Sequence, residues 1–158
     1  MAKNIIADTG FWFALYEPRD SYYSEANEMA ELIGNQNIFL PWPCLYETIN
    51  TRFAKRKDYM QAFEIFISKA NVSLVNDEEY KERALRLAFE YSKIGKRPFS
   101  LVDIIIREML SDDSYRIDYL VTFNDGDFID ICKKRKIEIL VWHFIANILT
   151  ESIRQDNE

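Results

Sequence analysis

The amino-acid sequence predicts an α/β fold with a central, mainly parallel sheet of about five strands, formed by a single domain over residues 1–158. Three observations carry this reading. Short β-branched runs recur between longer segments with helical spacing, and strands alternating with helices imply a parallel sheet. None of the short runs alternates polar with apolar residues, as expected of strands covered on both faces. The chain of 158 residues is 48% apolar and 29% charged, with only 4 Gly and 4 Pro, enough for one sizeable core and without a linker, repeat or low-complexity tract.

In chain order, residues 4–7 read as the first strand, ended by Asp8. Residues 21–33 read as a helix with Tyr22, Ala26, Met29, Ala30 and Ile33 on one stripe, stopped by Gly34. The second strand is 37–40, after which Pro43 stands where a proline opens a helix, running to about Arg56. Residues 57–70 place Tyr59, Phe63, Phe66 and Ile67 on a common helical face. A third strand at 72–75 precedes a helix at 77–94, which aligns Tyr80, Ala84, Leu87, Ala88 and Tyr91 and ends at Gly95. Ser100 opens the next helix, through Leu110, with Pro98 just outside it. The fourth strand is 119–123. Residues 127–136 form a short helix whose basic end suits the helix dipole, and 138–141 is the fifth strand. Residues 142–158 read as a C-terminal extension or a closing helix, or as a contact for a partner.

Composition narrows the function. With 26 acids against 20 bases the net charge is −6, so no global positive field holds a polynucleotide, and such a partner needs a local basic patch or bridging cations. Cys44 and Cys132 do not make a disulfide framework or a zinc site, and a lone His143 excludes a multi-histidine centre. Apolar runs fall short of the roughly 20 residues of a membrane helix, and the start lacks the pattern of a signal peptide. A soluble, cytoplasmic protein that does not enter the membrane is the expectation.

The informative feature is where certain carboxylates fall, because a parallel sheet brings strand C-termini and the following helix N-termini to one edge, where ligands bind. Asp8 ends the first strand, Glu47 lies in the opening turns after the second, Asp103 is in the first turn from Ser100, and Asp125 and Asp127 follow the fourth strand. Crowded carboxylates repel unless a cation neutralises them. An all-oxygen set without His or Cys suits a hard ion, Mg²⁺ or Mn²⁺, and such ions serve phosphodiester hydrolysis.

These segments resemble a known family, the PIN-domain ribonucleases, which include the toxins of many toxin–antitoxin pairs. The matching pieces are Ile5-Ile6-Ala7-Asp8-Thr9-Gly10, Tyr46-Glu47-Thr48-Ile49-Asn50, Ser100-Leu101-Val102-Asp103, and Leu120-Val121-Thr122-Phe123-Asn124-Asp125-Gly126-Asp127-Phe128, spread over about residues 4 to 141. The resemblance implies a three-layer α/β/α sandwich and Mg²⁺- or Mn²⁺-dependent cleavage of single-stranded or exposed RNA. It implies Asp8, Glu47 and Asp103 as metal-binding acids and Thr122 as their supporting hydroxyl; Thr9, Ser100 and Asn124 are further supporting candidates. Many members carry an Asp two residues after the matching Thr, where this chain has Asn124; Asp125 and Asp127 are the candidates to replace it, and one ion or two remains open. An antitoxin protein and a homodimer are further implied partners.

Each feature also has a plainer reading. Asp103 with Ser100 completes a capping box, Asp8 ends a strand, Glu47 is a solvated helix residue, and Asp125 and Asp127 make a turn and an N-cap. Arg52, Lys96 and Arg97 are candidate RNA contacts or simply charges near helix ends. Trp12, Trp42 and Tyr46 suit base stacking or packing. Asp8-Thr9-Gly10 also matches the aspartic-protease triplet, but long helical patterns argue against that all-strand fold. Glycine loops for phosphate are absent. The alternative from a different class is a catalytically weak module of the same fold that binds RNA or a protein, favoured by Asn124.

Overall fold

The structure is a computed structural model describing residues 1–95 and 98–140. Its elements are β1 (Asn4–Ala7), α1 (Thr9–Tyr16), α2 (Tyr23–Ile33), β2 (Asn37–Pro41), α3 (Trp42–Thr48), α4 (Thr51–Ala54), α5 (Lys57–Ile67), β3 (Val72–Val75), α6 (Lys81–Lys93), α7 (Leu101–Ser111), β4 (Tyr119–Val121), a 3-10 turn (Asp125–Asp127), α8 (Ile129–Arg135) and β5 (Glu138–Leu140). The five strands form one parallel sheet in the order β3-β2-β1-β4-β5. In the central strand, Ile5 pairs with Ile38 on one side and Tyr119 on the other, and Ala7 pairs with Val121. Ile5, Ile6 and Ala7 are all buried, which explains a strand without alternation.

The chain steps from β1 to β2 to β3, then crosses back over β1 to β4 and β5. Right-handed crossovers therefore place α1 to α5 on one face and α6 to α8 on the other. Packing agrees: Trp12 of α1 meets Phe63 and Phe66 of α5 at 5.8 and 5.0 Å between ring centres, while α7 lies against α6 and α8. The expected α/β sandwich is what forms. Its direction reverses between β1 and β4, and that reversal opens a crevice beyond their carboxyl ends.

Several boundaries differ from the sequence reading. Helix α1 was not anticipated, because Thr9-Gly10-Phe11-Trp12-Phe13-Ala14-Leu15-Tyr16 is apolar nearly all round and shows no stripe. Tertiary contacts hold it: Phe11, Trp12 and Ala14 are buried, and the Trp12 indole N–H donates to the Ala7 carbonyl at 3.1 Å. The single helix expected over 43–56 starts at Trp42 and is broken at Asn50, whose side-chain oxygen accepts from the N–H groups of Arg52 and Phe53 at 3.0 and 3.1 Å. The helix expected from 77 begins at Lys81, preceded by a turn in which the Tyr80 N–H donates to the Asp77 carbonyl at 2.9 Å. Tyr22, placed on the buried stripe by its spacing, lies before α2 and stacks instead on Phe123. The helix from 57 ends at Ile67, the fourth strand stops at Val121, and the 3-10 turn precedes α8. Gly95 takes the left-handed conformation, φ 62°, just after α6, as a helix-ending glycine does.

Among the described residues no helix is long and apolar enough to cross a membrane. Residues 141–158, which include the last residue of the expected fifth strand and His143, and the pair Lys96 and Arg97 lie outside the described residues.

Candidate active site

The site is built on the crevice between β1 and β4. Asp8 follows the last residue of β1, and its N–H donates to the Val121 carbonyl at 2.9 Å, which brings the ends of the two strands level. Its carboxylate caps α1, with Oδ1 accepting from the Thr9 N–H at 2.7 Å. The other oxygen, Oδ2, accepts from the Thr122 hydroxyl at 3.0 Å, and that hydroxyl in turn accepts from the Asn124 N–H at 3.0 Å. Asp8 is only 7% exposed and Thr122 fully buried. The Asp8 carboxyl is raised to about 6: burial is the largest cause, the Thr122 and Thr9 hydrogen bonds oppose it, and the charges of Asp103 and Glu47 add to it.

Two other segments close on the same point. The Thr9 hydroxyl donates to Glu47 Oε2 at 2.6 Å, linking the start of α1 to α3. Asp103, in the first turn of α7, accepts the Ser100 N–H at 3.0 Å while its own N–H donates to the Ser100 hydroxyl at 3.0 Å. The capping box is real, and it is compatible with the electrostatic influence of Asp103 on Asp8. Cys44, one turn before Glu47, is buried against this group. Burial holds its thiol well above the usual range, and the charges of Asp8, Glu47 and Asp103 add to the effect, so it is no nucleophile.

The segment after β4 separates the two remaining acids. Asp127 is buried, and its carboxylate accepts from the Asn124 side-chain amide. Asp125 is exposed and lines a cleft with Ile129, Cys132, Lys133, Ile137 and Ile139. Of the two, Asp127 is linked to Thr122 through Asn124, whose N–H donates to the Thr122 hydroxyl. Arg107, a residue the sequence reading passed over, holds this segment. It stands one turn after Asp103 on α7 and donates to the Asp127 carbonyl and, with both amino groups, to the Asp130 carboxylate at 2.7 and 2.6 Å. Its guanidinium lies 4.7 Å from the Phe99 ring centre, and it pulls the Asp130 carboxyl down to about 2. The i, i+4 spacing from Asp103 was the available signal.

Arg52 is not brought into this group. It pairs with Glu17 at 3.3 Å and borders a separate cavity of about 410 Å³ between α1 and α4, with Tyr16, Phe53, Arg56 and Tyr59.

Among the described residues, no three His, Cys, Asp or Glu side chains are gathered tightly enough to hold an ion as they stand. Each carboxylate is turned onto a hydrogen-bond donor of its own: Asp8 onto Thr9 and Thr122, Glu47 onto Thr9, Asp103 onto Ser100. The donor chemistry nevertheless fits a hard divalent cation. The acids supply only oxygen, and the charges acting on the buried Asp8 carboxyl, those of Asp103 and Glu47, are both negative.

No protein-family model matches the chain, and no curated protein matches it by sequence. Solved structures do match by shape. The Mycobacterium tuberculosis VapC20 structure, that of a sarcin–ricin-loop-cleaving toxin, superposes with a TM-score of 0.60 at 18% identity, covering 80% of this chain and 94% of that one. The Rickettsia felis VapBC2 structure, bound to a DNA fragment from its promoter, gives 0.56 at 16% identity, with 87% and 97% covered. Likeness at such identity speaks for architecture alone: the chain has the α/β fold of the PIN-domain toxins that its motifs resemble.

Proposed function

We propose that the protein is a Mg²⁺- or Mn²⁺-dependent endoribonuclease, the toxin of a toxin–antitoxin pair. The observation that carries this reading is the buried Asp8 carboxylate, positioned by Thr122 and Thr9 at the switch point of the sheet and crowded by Asp103 and Glu47. Asp8, Glu47 and Asp103 would hold the ion, with Asp127 at the edge of the site. When bound, such an ion supplies Lewis acidity to a phosphodiester oxygen and lowers the pKa of water. The chain's own part is to place and orient. Thr122 fixes one Asp8 oxygen, Thr9 aims Glu47, the Ser100 box fixes Asp103, and Arg107 fixes the 124–127 segment against α7. The likeness to VapC20, a sarcin–ricin-loop-cleaving toxin, and to VapBC2 bound to promoter DNA supports the reading of an RNA substrate and an antitoxin partner.

The test is cleavage of a single-stranded RNA with Mn²⁺ and with a chelator, for the wild type, Asp8→Asn and Asp103→Asn. Cleavage should require the ion and fall at least about 100-fold in both variants. Chelator-resistant cleavage, or variants as fast as wild type, would refute it. The toxin role predicts growth arrest on expression, relieved by a small co-encoded protein; harmless expression of an active enzyme would remove it. A second reading, a module of the same fold that binds RNA or a protein without cutting, is favoured by Asn124, which gives an amide donor to Asp127 where a further acid would add negative charge. Metal binding without turnover is its signature.

A further inference from the structure

We propose that the rings of Tyr22 on one side of the acidic centre, and of Trp42 and Tyr46 on the other, are stacking sites for unpaired RNA bases. The substrate is then a strand opened at the nucleotides flanking the cut. This rests on the ribonuclease reading above and names the part of the substrate the site grips.

The sheet order sets β2, β1 and β4 side by side. The exit of β1 carries Asp8, and an aromatic pair stands at the exit of each neighbour. Beyond β4, Phe123 directly follows Thr122, whose hydroxyl holds Asp8, and Tyr22 lies parallel to it, 4.4 Å between ring centres and 6° between planes. Phe123 packs on the core, whereas Tyr22 is 45% exposed, so the pair is a rigid stack ending in an accessible ring. Beyond β2, Trp42 and Tyr46 stand one turn apart on α3, with ring centres 5.9 Å apart and exposures of 39% and 66%. Tyr46 directly precedes Glu47.

Spacing and charge choose the occupant. Exits of strands two positions apart lie about 10 Å from each other, whereas bases in a stacked strand are about 3.4 Å apart. Two bases held on the two sides cannot stay stacked on one another, which favours loops and single strands over duplex. A chain of net charge −6 with an acidic centre repels phosphates, so backbone attraction is a weak source of affinity. Stacking on a ring face is independent of charge and serves any base.

The experiment is fluorescence anisotropy of the full chain in chelator, with a labelled uridine decamer and a decamer of abasic ribose phosphates, alongside cleavage assays in Mn²⁺. The wild type should bind the uridine decamer at least about tenfold more tightly than the abasic one. Tyr22→Ala and Tyr46→Ala should each weaken uridine binding about 5- to 100-fold and leave abasic binding unchanged, while Tyr22→Phe and Tyr46→Phe bind like wild type. Alanine variants that bind as wild type while RNA is still cleaved would overturn the stacking sites and leave the ribonuclease reading standing. So would equal loss on both decamers, which marks rings that hold the fold. A wild-type dimer that becomes monomeric in Tyr46→Ala with RNA binding intact would assign the rings to a second copy of the chain. Absence of cleavage of any RNA by the wild type would remove both readings.

Discussion

Replacing Asp8 by Asn is expected to stabilise the metal-free protein at neutral pH while removing cleavage. The Asp8 carboxyl keeps its proton to about 6 in the folded chain, against an ordinary value of 3.8. Between those values the folded state binds more protons than the unfolded one, so stability falls as pH rises through that window. At about 1.4 kcal/mol per pH unit, the ionised carboxylate costs about 3 kcal/mol by pH 7.5. Asn carries no charge, caps a helix as well as Asp does, and can still accept the Thr9 N–H. Allowing for an imperfect fit against Thr122, Asp8→Asn should gain about 1–3 kcal/mol at pH 7.5, or roughly 2–10 °C in Tm for a chain of this size. Near pH 4 the wild-type group is largely neutral, and the gain should shrink towards zero. Thermal and urea denaturation in chelator at pH 4 and pH 7.5 measure both figures. Adding Mn²⁺ at pH 7.5 should then raise the wild-type Tm and leave the variant unmoved. A variant no more stable than wild type at pH 7.5, or one with the same advantage at both pH values, refutes the crowded and desolvated carboxylate.

Thr122→Val keeps the shape of the buried residue but removes the donor to Asp8 Oδ2 and the acceptor of the Asn124 N–H. It should cost about 1–3 kcal/mol at pH 7.5 and less near pH 4, where Asp8 is largely neutral; urea midpoints at the two values check it. Arg107→Lys cannot reproduce the two-point grip on Asp130 together with the contact to the Asp127 carbonyl. A loss of about 1–3 kcal/mol, with faster amide exchange across residues 124–127, is expected, and unchanged exchange would show that Arg107 does not hold that segment. Ser100→Ala removes only the cap, so it should lower stability by about 1 kcal/mol and leave the Mn²⁺-induced rise in Tm intact. Asp103→Asn should abolish that rise, which separates the capping role of Asp103 from its role towards an ion.

The parallel sheet and the edge at which the acids gather were legible because both are topological. Strands buried on both faces betray themselves by continuous apolar runs; Asp8 stood at a strand exit and Asp103 at a helix start, whereas Glu47, read in the opening turns of a longer helix, lies in the last turn of the short α3. What escaped depended on tertiary contact. Helix α1 has no stripe, since both its sheet face and its α5 face are apolar, and only burial of Trp12 and Phe11 makes it visible. Asn50 divides a helix through hydrogen bonds to its neighbours' amides, an alternative to continuing the helix that side-chain type alone does not decide. Asp125 and Asp127 are two residues apart in one turn, yet one is exposed and the other buried against Asn124, and no periodicity separates them. Trp12, Trp42 and Tyr46 look alike in sequence, but the first is core and the other two line the edge.

The stability and the proposed chemistry of the site trade against each other through one group. Asp8 is the residue whose burial the fold makes costly, and it is also the one that topology fixes most firmly, with the β4 backbone on its N–H and the Thr122 and Thr9 donors on its two oxygens. A carboxylate whose only purpose was to cap α1 would be served as well by Asn or Ser and would carry no penalty for its charge. Retaining a charge there, beside Asp103 and Glu47, makes physical sense when something positive binds against it. The same condition fits the way Glu47 and Asp103 rest on Thr9 and Ser100, where each carboxylate is satisfied separately by a donor of the chain. Calcium, too large and too loosely coordinated to organise three short-armed acids as Mn²⁺ would, should therefore stabilise the fold less than Mn²⁺ at equal concentration.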